Sequence, residues 1–370
     1  MKIIVAGPVF PDSFARNVVV TLADMGHEVH SVSGTRTRHQ QNRWLRNFWE
    51  LAGKAFPAIE DSSYKVLVRQ AKTLAPDLVL VTSRDLPPQV IAEIKAACRA
   101  KVVCWYTDPI TGTHRHYIVA SPYDAIFLKE PYLVRILREK LGLRTHLLHE
   151  CCNPRWHRRI ALSAADRARY STQLAALGSL HYYRARMLEP FSAADLKIWG
   201  AYNPPWVVSP SKQHYTNQFV AEEEKAKAIL AAQVVLNTMG YWEIEGLNCT
   251  LFETAGCGGF QIADWKPTMA ECFEPEREMV TFRTAQELQE KVEYYLAKPD
   301  ERQAIADRAY ARAHREHTYK HRLTEMFRVL GFENFTTEST EATEEIRDVA
   351  PASSLAGSAW EKIVPGNRKN

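Results

Sequence analysis

Two glutamates, Glu245 and Glu253, lie within a glycine-bracketed segment, EIEGLNCTLFETAGCGGFQIAD (residues 243–264), and carboxylates in such a setting can bind sugar hydroxyls. Asn248 is a good N-cap. Leu251, Phe252 and Ala255 follow it with helical spacing, and Gly256, Gly258 and Gly259 end the predicted helix before the strand-like FQIAD. A helix N-terminus then faces the loop that carries Glu245. Its free N–H groups and positive dipole end suit a diphosphate, while Glu253 can accept hydrogen bonds from two vicinal ribose hydroxyls. The same residues also suit an ordinary helix–strand unit, with glycine turns and solvated glutamates.

Other candidates lie in the first half of the chain. Asp108 ends the strand-like KVVCWYTD (101–108), where a carboxylate can orient or deprotonate a hydroxyl; as a residue before Pro109 it also suits a plain turn. His114 and His116 form a second pair, but no third ligand is spaced to make a metal site. The loop after the first strand, with Gly7 and Phe10 to Ser13, lacks GxGxxG, so no nicotinamide or flavin cofactor is indicated.

Positioning such residues requires an alternating scaffold, and the pattern supplies one. KIIVAG (2–7), a helical stretch over 14–25 and HEVHSVS (27–33) open as strand, helix, strand. DLVLVTS (77–83), a helix over 89–100, KVVCWYTD, YDAIFL (123–128), a helix over 131–140 and THLLHE (145–150) continue the alternation. It restarts after a helix from Ala164: QLAALGS (173–179), a helix over 182–192, DLKIWG (195–200), a helix over 221–229, AQVVLNT (232–238), FQIAD and EMVTF (278–282). Helices are expected over 284–296 and 300–330. The expected fold class is α/β, with two Rossmann-like domains over 1–153 and 154–330 and a polar tail over 331–370.

Composition is that of an ordinary globular chain of 370 residues, with 46% hydrophobic and 24% charged residues. No signal-peptide or membrane-spanning run is present, which leads to the expectation of a cytoplasmic protein. A net charge of +4 is too weak to indicate nucleic acid. Seven cysteines without a CxxC pair indicate buried thiols rather than disulfides or a zinc cage. Residues 36–56 interleave Arg36, Arg38, Arg43 and Arg46 with Trp44, Phe48 and Trp49. That mixture suits a membrane interface or an acceptor cleft, and equally a helix packed on the sheet with snorkelling arginines.

Three segments resemble the GT-B glycosyltransferases, in particular the spore-maturation-protein-like (CgeB-like) branch related to the group 1 transferases. They are LGSLHYYRARMLEPF (177–191), DLKIWG, and GLNCTLFETAGCGGFQIADWKPTMAECFEPEREMVTF (246–282) with the helix that follows it; in the first half only WYTDP (105–109) is recognisable. The resemblance implies two Rossmann-like domains facing each other across a cleft. A nucleotide-diphosphate sugar would donate to a hydroxyl on a glycan, lipid-linked glycan, protein or small molecule, with retention, without a metal ion or other cofactor. It implies donor contacts from Gly178, Ser179, Leu180, Tyr182, Arg184, Lys212, Asn248, Cys249, Thr250 and Glu253, and a place near the sugar hydroxyls for Glu245, beside the catalytic candidates Asp108 and His114 read from their positions above. Thr250 stands where relatives commonly carry an arginine, so Arg184 or Lys212 would take over its diphosphate contact. A non-hydrolysing sugar-nucleotide epimerase, and a non-catalytic binding protein of sporulation or surface assembly, share these features and stay open.

Overall fold

The computed structural model describes residues 1–32, 57–82, 86–108, 116–200 and 204–332, the side chains of 57–63 excepted. The basic aromatic stretch 36–56, His114 and the tail beyond 332 lie outside the described residues. Strands and helices alternate first as β1 (Lys2–Ala6), α1 (Phe14–Asp24), β2 (Glu28–Val32), α2 (Pro57–Leu74), β3 (Leu78–Val81), α3 (Pro88–Ala97), β4 (Lys101–Tyr106), α4 (Tyr117–Ala120), β5 (Ala125–Leu128), α5 (Pro131–Leu141) and β6 (Thr145–Leu147). The second series is α6 (Ala164–Tyr170), β7 (Thr172–Leu177), α7 (Tyr182–Leu188), β8 (Leu196–Trp199), α8 (Glu222–Leu230), β9 (Ala232–Asn237), α9 (Cys249–Cys257), β10 (Gln261–Asp264), α10 (Met269–Cys272), β11 (Val280–Phe282), α11 (Ala285–Leu296), α12 (Pro299–Glu316) and α13 (Tyr319–Leu330).

Both sheets are parallel, and their strand orders follow one plan. The first runs β2-β1-β3-β4-β5-β6 and the second β11-β10-β9-β7-β8. LVLV, and KIIVA beyond Lys2, are apolar throughout because helices cover both sheet faces. In each sheet the winding direction reverses beside the first strand, between β1 and β3 and between β7 and β9. In open α/β sheets such reversal points, at the carboxyl ends of the strands, are where ligand crevices form.

One expected helix is broken in two. The stretch 300–330 divides at His317 and Thr318, where Thr318 and His321 form a reciprocal capping box that starts α13. The break docks the chain on the linker: Cys152 N–H donates to His317 O at 2.9 Å, and Tyr319 N–H to Cys152 O at 3.1 Å. It also turns α13 back onto α1 of the first sheet, where Arg322 donates to His149 O at 3.0 Å and Lys101 to Leu330 O. Residues 1–331 accordingly form one compact unit. Five of the cysteine thiols are buried and two half-buried. No helix of the described residues is long and apolar enough to cross a membrane.

Candidate functional site

The turn from β7 to α7 builds one wall. Gly178 is in the positive-φ region, and a Cβ there would lie 2.8 Å from Arg184 Nη1, so a side chain would displace the guanidinium. Ser179 is exposed and Leu180 buried. His181 caps α7, its Nδ1 accepting the Arg184 N–H at 3.2 Å. The Arg184 guanidinium is buried and spans the reversal point between β7 and β9: Nε donates to Thr238 Oγ1 at 3.1 Å, Nη1 to Ser179 O at 2.8 Å and Nη2 to Thr238 O at 3.3 Å. All three acceptors are neutral. Among the described residues no carboxylate pairs with it, and burial pulls its ionisation down to about 10, which leaves it charged at neutral pH.

The loop from β9 to α9 builds the second wall. Asn248 caps α9 as expected, accepting Leu251 N–H at 3.1 Å, and exchanges amide hydrogen bonds with Asn237 at the end of β9. Gly258 closes the helix in the left-handed region, whereas Gly256, expected to help end it, lies inside. A Cβ on Gly256 would come 2.8 Å from that of Cys152, so its missing side chain lets α9 meet the linker.

One turn into α9 the Glu253 carboxylate is buried. Its Oε2 accepts from Lys225 Nζ of α8 at 3.0 Å, and Lys225 also pairs with Asp12 from the loop after β1. His157 Nε2 lies 3.7 Å from Glu253 Oε1. Ligand atoms of Asp12, His157 and Glu253 come within 4.8 Å of one another, a spacing that could hold a metal ion. The local chemistry favours an ammonium instead. Lys225 already bridges both carboxylates, and His157 Nδ1 accepts the Asn153 N–H at 3.0 Å, which places the proton of the neutral ring on Nε2. Burial, reinforced by Lys225, pushes His157 down to about 3, and burial raises Asp12.

The first sheet contributes the strand ends opposite. Lys129, buried just after β5, donates to Glu243 at 2.8 Å and stands 3.7 Å from Glu150. Burial pushes Glu150 up to about 8, and Asp108 and Glu253 act in the same direction through their charge. Glu130 accepts from three successive backbone N–H groups of the β9–α9 loop, those of Ile244, Glu245 and Gly246, at 3.0 to 3.1 Å. Arg135 reaches Glu245 at 3.3 Å. Together these residues of the first half fasten the acidic loop of the second.

Among the expected site residues, Gly178, Ser179, Leu180 and Arg184 share one turn. Asn248, Cys249, Thr250 and Glu253 share the first turns of α9. Glu245 and Glu253 take different partners, Arg135 and Lys225. Lys212 donates to Pro204 O at 2.8 Å and Val207 O at 2.9 Å, holding the loop after β8, and exposed Tyr182 donates to Trp206 O in that loop. Asp108 is exposed just past β4. The sequence reading singled out the loop Phe10 to Ser13 without naming Asp12 in it, and missed Lys129, Glu130, Glu150 and Lys225. Four of these follow apolar strands directly or within a short loop, in KIIVAGPVFPD, AIFLKE and THLLHE, and charge at the carboxyl end of a parallel strand is the signal that would have found them.

Residues 184–328 match the family model described as "Glycosyl transferase-like". No curated protein sequence matches the chain. Among solved structures, sucrose-phosphate synthase from Thermosynechococcus elongatus is similar with a TM-score of 0.62 at 13% identity, covering 91% of this chain and 100% of that one. A glycosyltransferase from Rickettsia africae gives 0.63 at 12%, covering 91% and 99%. Anabaena HepE in complex with UDP-glucose gives 0.61 at 13%, covering 90% and 100%. These likenesses establish the two-domain Rossmann-like GT-B architecture, and the family match marks residues 184–328 as glycosyl transferase-like.

Proposed function

We propose that the chain transfers a sugar from a uridine diphosphate sugar to a hydroxyl acceptor, with retention and without a metal ion, and that it is of the CgeB-like branch. One observation carries the reading: the buried Arg184 guanidinium lies across the reversal point of the second sheet and, among the described residues, meets neutral acceptors only. A desolvated cation in that position is suited to an anion, and a diphosphate answers it with charge-assisted hydrogen bonds. As the bond from sugar to diphosphate breaks, charge gathers on the leaving phosphate. Arg184, together with the N-terminus of α9, is positioned to stabilise it. The UDP-glucose in HepE, which shares the fold, supports uridine as the base.

In this reading Glu253, paired with Lys225, takes the ribose hydroxyls, and Glu245, held by Arg135, faces the sugar. Asp108, exposed at the end of β4, takes the acceptor proton. Calorimetric titration with UDP and UDP-glucose, and UDP release in the presence of methyl glycosides, test the proposal. Binding of neither nucleotide would overturn it.

A further inference from the structure

Four aromatic side chains gather at the carboxyl ends of β7 and β9, and the reaction outlined above uses none of them. The rings of His181 and Trp242 meet edge-on at 4.6 Å, Trp242 and Tyr241 at 5.0 Å, and Tyr241 and Tyr183 at 6.1 Å; His181 and Tyr183 are near parallel at 6.4 Å. Tyr241 is 73% exposed and the other three are half-buried. A lone exposed ring is ordinary, but a contiguous patch at the ligand end of a parallel sheet marks a contact surface.

Three of the rings are fixed from behind. His181 is held through Nδ1 by the Arg184 N–H, and Tyr183 donates its hydroxyl to Asp264, at the end of β10, at 3.1 Å. Trp242 folds over Gly240, where a Cβ would fall 2.2 Å from the indole. Rings held in place before a ligand arrives lose little freedom when it binds. Asp264 adds the polar element: Tyr183 and, at 3.8 Å, Lys266 both meet its Oδ2, and no described bond reaches Oδ1. Aromatic faces beside a carboxylate match a pyranose, which offers an apolar C–H face and a rim of hydroxyl donors.

We infer that His181, Tyr183, Tyr241 and Trp242, with Asp264, form a shelf that binds a pyranose of the acceptor. The inference rests on the donor site proposed above. Glu253 contacts Lys225 and His157, whereas the rings contact the Arg184 turn, Gly240 and Asp264, so the shelf shares no described contact with the residue assigned to the ribose. The open face of Tyr241 suits the partner that arrives second and leaves first.

Saturation-transfer NMR on the full chain, with and without UDP, tests the shelf using methyl glucoside, galactoside, mannoside, N-acetylglucosaminide and rhamnoside. At least one is expected to receive saturation on its C–H face. In Trp242→Ala and Tyr241→Ala its affinity should fall about tenfold, with Trp242→Phe retaining most of it and UDP affinity unchanged in all three. Circular dichroism melts confirm that the variants fold. The inference is overturned by no saturation of any glycoside, by undiminished binding in the Ala variants, or by loss of UDP binding with Trp242, which would make the rings a nucleoside platform. Co-sedimentation with phosphatidylcholine vesicles that disappears with Trp242→Ala would overturn it in favour of a membrane contact. If the wild-type chain binds glycosides but no UDP, the donor reading fails while the shelf stands.

Discussion

Replacing Arg184 by methionine separates the two things this side chain does. Methionine keeps much of the length and apolar stem but removes the charge and its donors. In the unliganded protein the guanidinium gains three hydrogen bonds to neutral acceptors, while burial opposes its charge strongly enough to bring it down to about 10. Those contributions nearly cancel, so stability without ligand should change by only about 1 kcal/mol. Ligand binding should change far more. The guanidinium has five N–H donors, of which the described bonds use three. Two charge-assisted bonds to a diphosphate contribute roughly 3 kcal/mol together, so Arg184→Met should weaken UDP binding about 100-fold. Calorimetry reads this directly. Thermal unfolding reads it through linkage, because UDP at about 100 times its Kd stabilises by ~2.7 kcal/mol, or roughly 4 °C for a unit of this size. The variant at the same UDP concentration should show almost no shift. UDP affinity within threefold of wild type, in a folded Arg184→Met protein, would refute the assignment of the diphosphate to this residue.

Lys225→Met leaves Asp12 and Glu253 as buried carboxylates without their shared cation, and should cost about 3–5 kcal/mol of stability, measured by urea unfolding near neutral pH. A smaller loss than about 1 kcal/mol would show that the ammonium does not bind these carboxylates together. Glu150 has its folded-state ionisation raised to about 8, so the folded chain holds a proton there that the unfolded chain gives up near 4.5. Its contribution to stability is therefore full below pH 4.5 and lost as pH rises to about 8. Glu150→Gln should remove on the order of 2 kcal/mol of that decline, seen by comparing urea midpoints at pH 6 and pH 8.5. Equal slopes for both proteins would count against a protonated Glu150. Glu130→Ala strips the acceptor from the amides of residues 244–246, and hydrogen exchange should show these backbone groups exchanging about 30-fold faster, equivalent to roughly 2 kcal/mol of lost protection.

Elements whose cause is local were legible in the sequence. Asn248 was readable as a cap because an amide before an apolar 3.6-residue period has few other uses, and it accepts the Leu251 N–H as that position requires. Parallel strands such as LVLV were readable because burial on both faces leaves no room for alternation. Gly256 was misread. Glycine favours helix ends through its conformational freedom, but here it serves close approach to Cys152, and a contact between α9 and the linker leaves no trace in neighbouring residues. The uninterrupted helix over 300–330 failed for a related reason. Thr318 and His321 look like helix interior until the linker strand at Cys152, far away in sequence, supplies the hydrogen bonds that reward breaking the ladder.

The site divides along the same line. Arg184 was named through the resemblance, and the turn, the helix and the arginine that carry it all belong to one short segment. The partners of Glu253 do not. Asp12, Lys225 and His157 come from a loop, a helix and the linker, each with an unremarkable local pattern, and only the docking of the two sheets places their charges together. That docking makes Glu253 part of an ionic group that spans both halves. Lys225 pairs with it from within the second half, and Asp12 adds the first half to the same group. A donor that engages Glu253 therefore meets an element anchored in both sheets, and its binding is coupled to how the β1–α1 loop sits against α8. Asp12→Asn, which keeps the shape but removes one of the two negative charges on Lys225, should alter UDP-glucose affinity through a residue that is distant in sequence from every other donor contact. Calorimetry showing no change from Asp12→Asn would place the ionic group outside the donor site and assign it to stability alone.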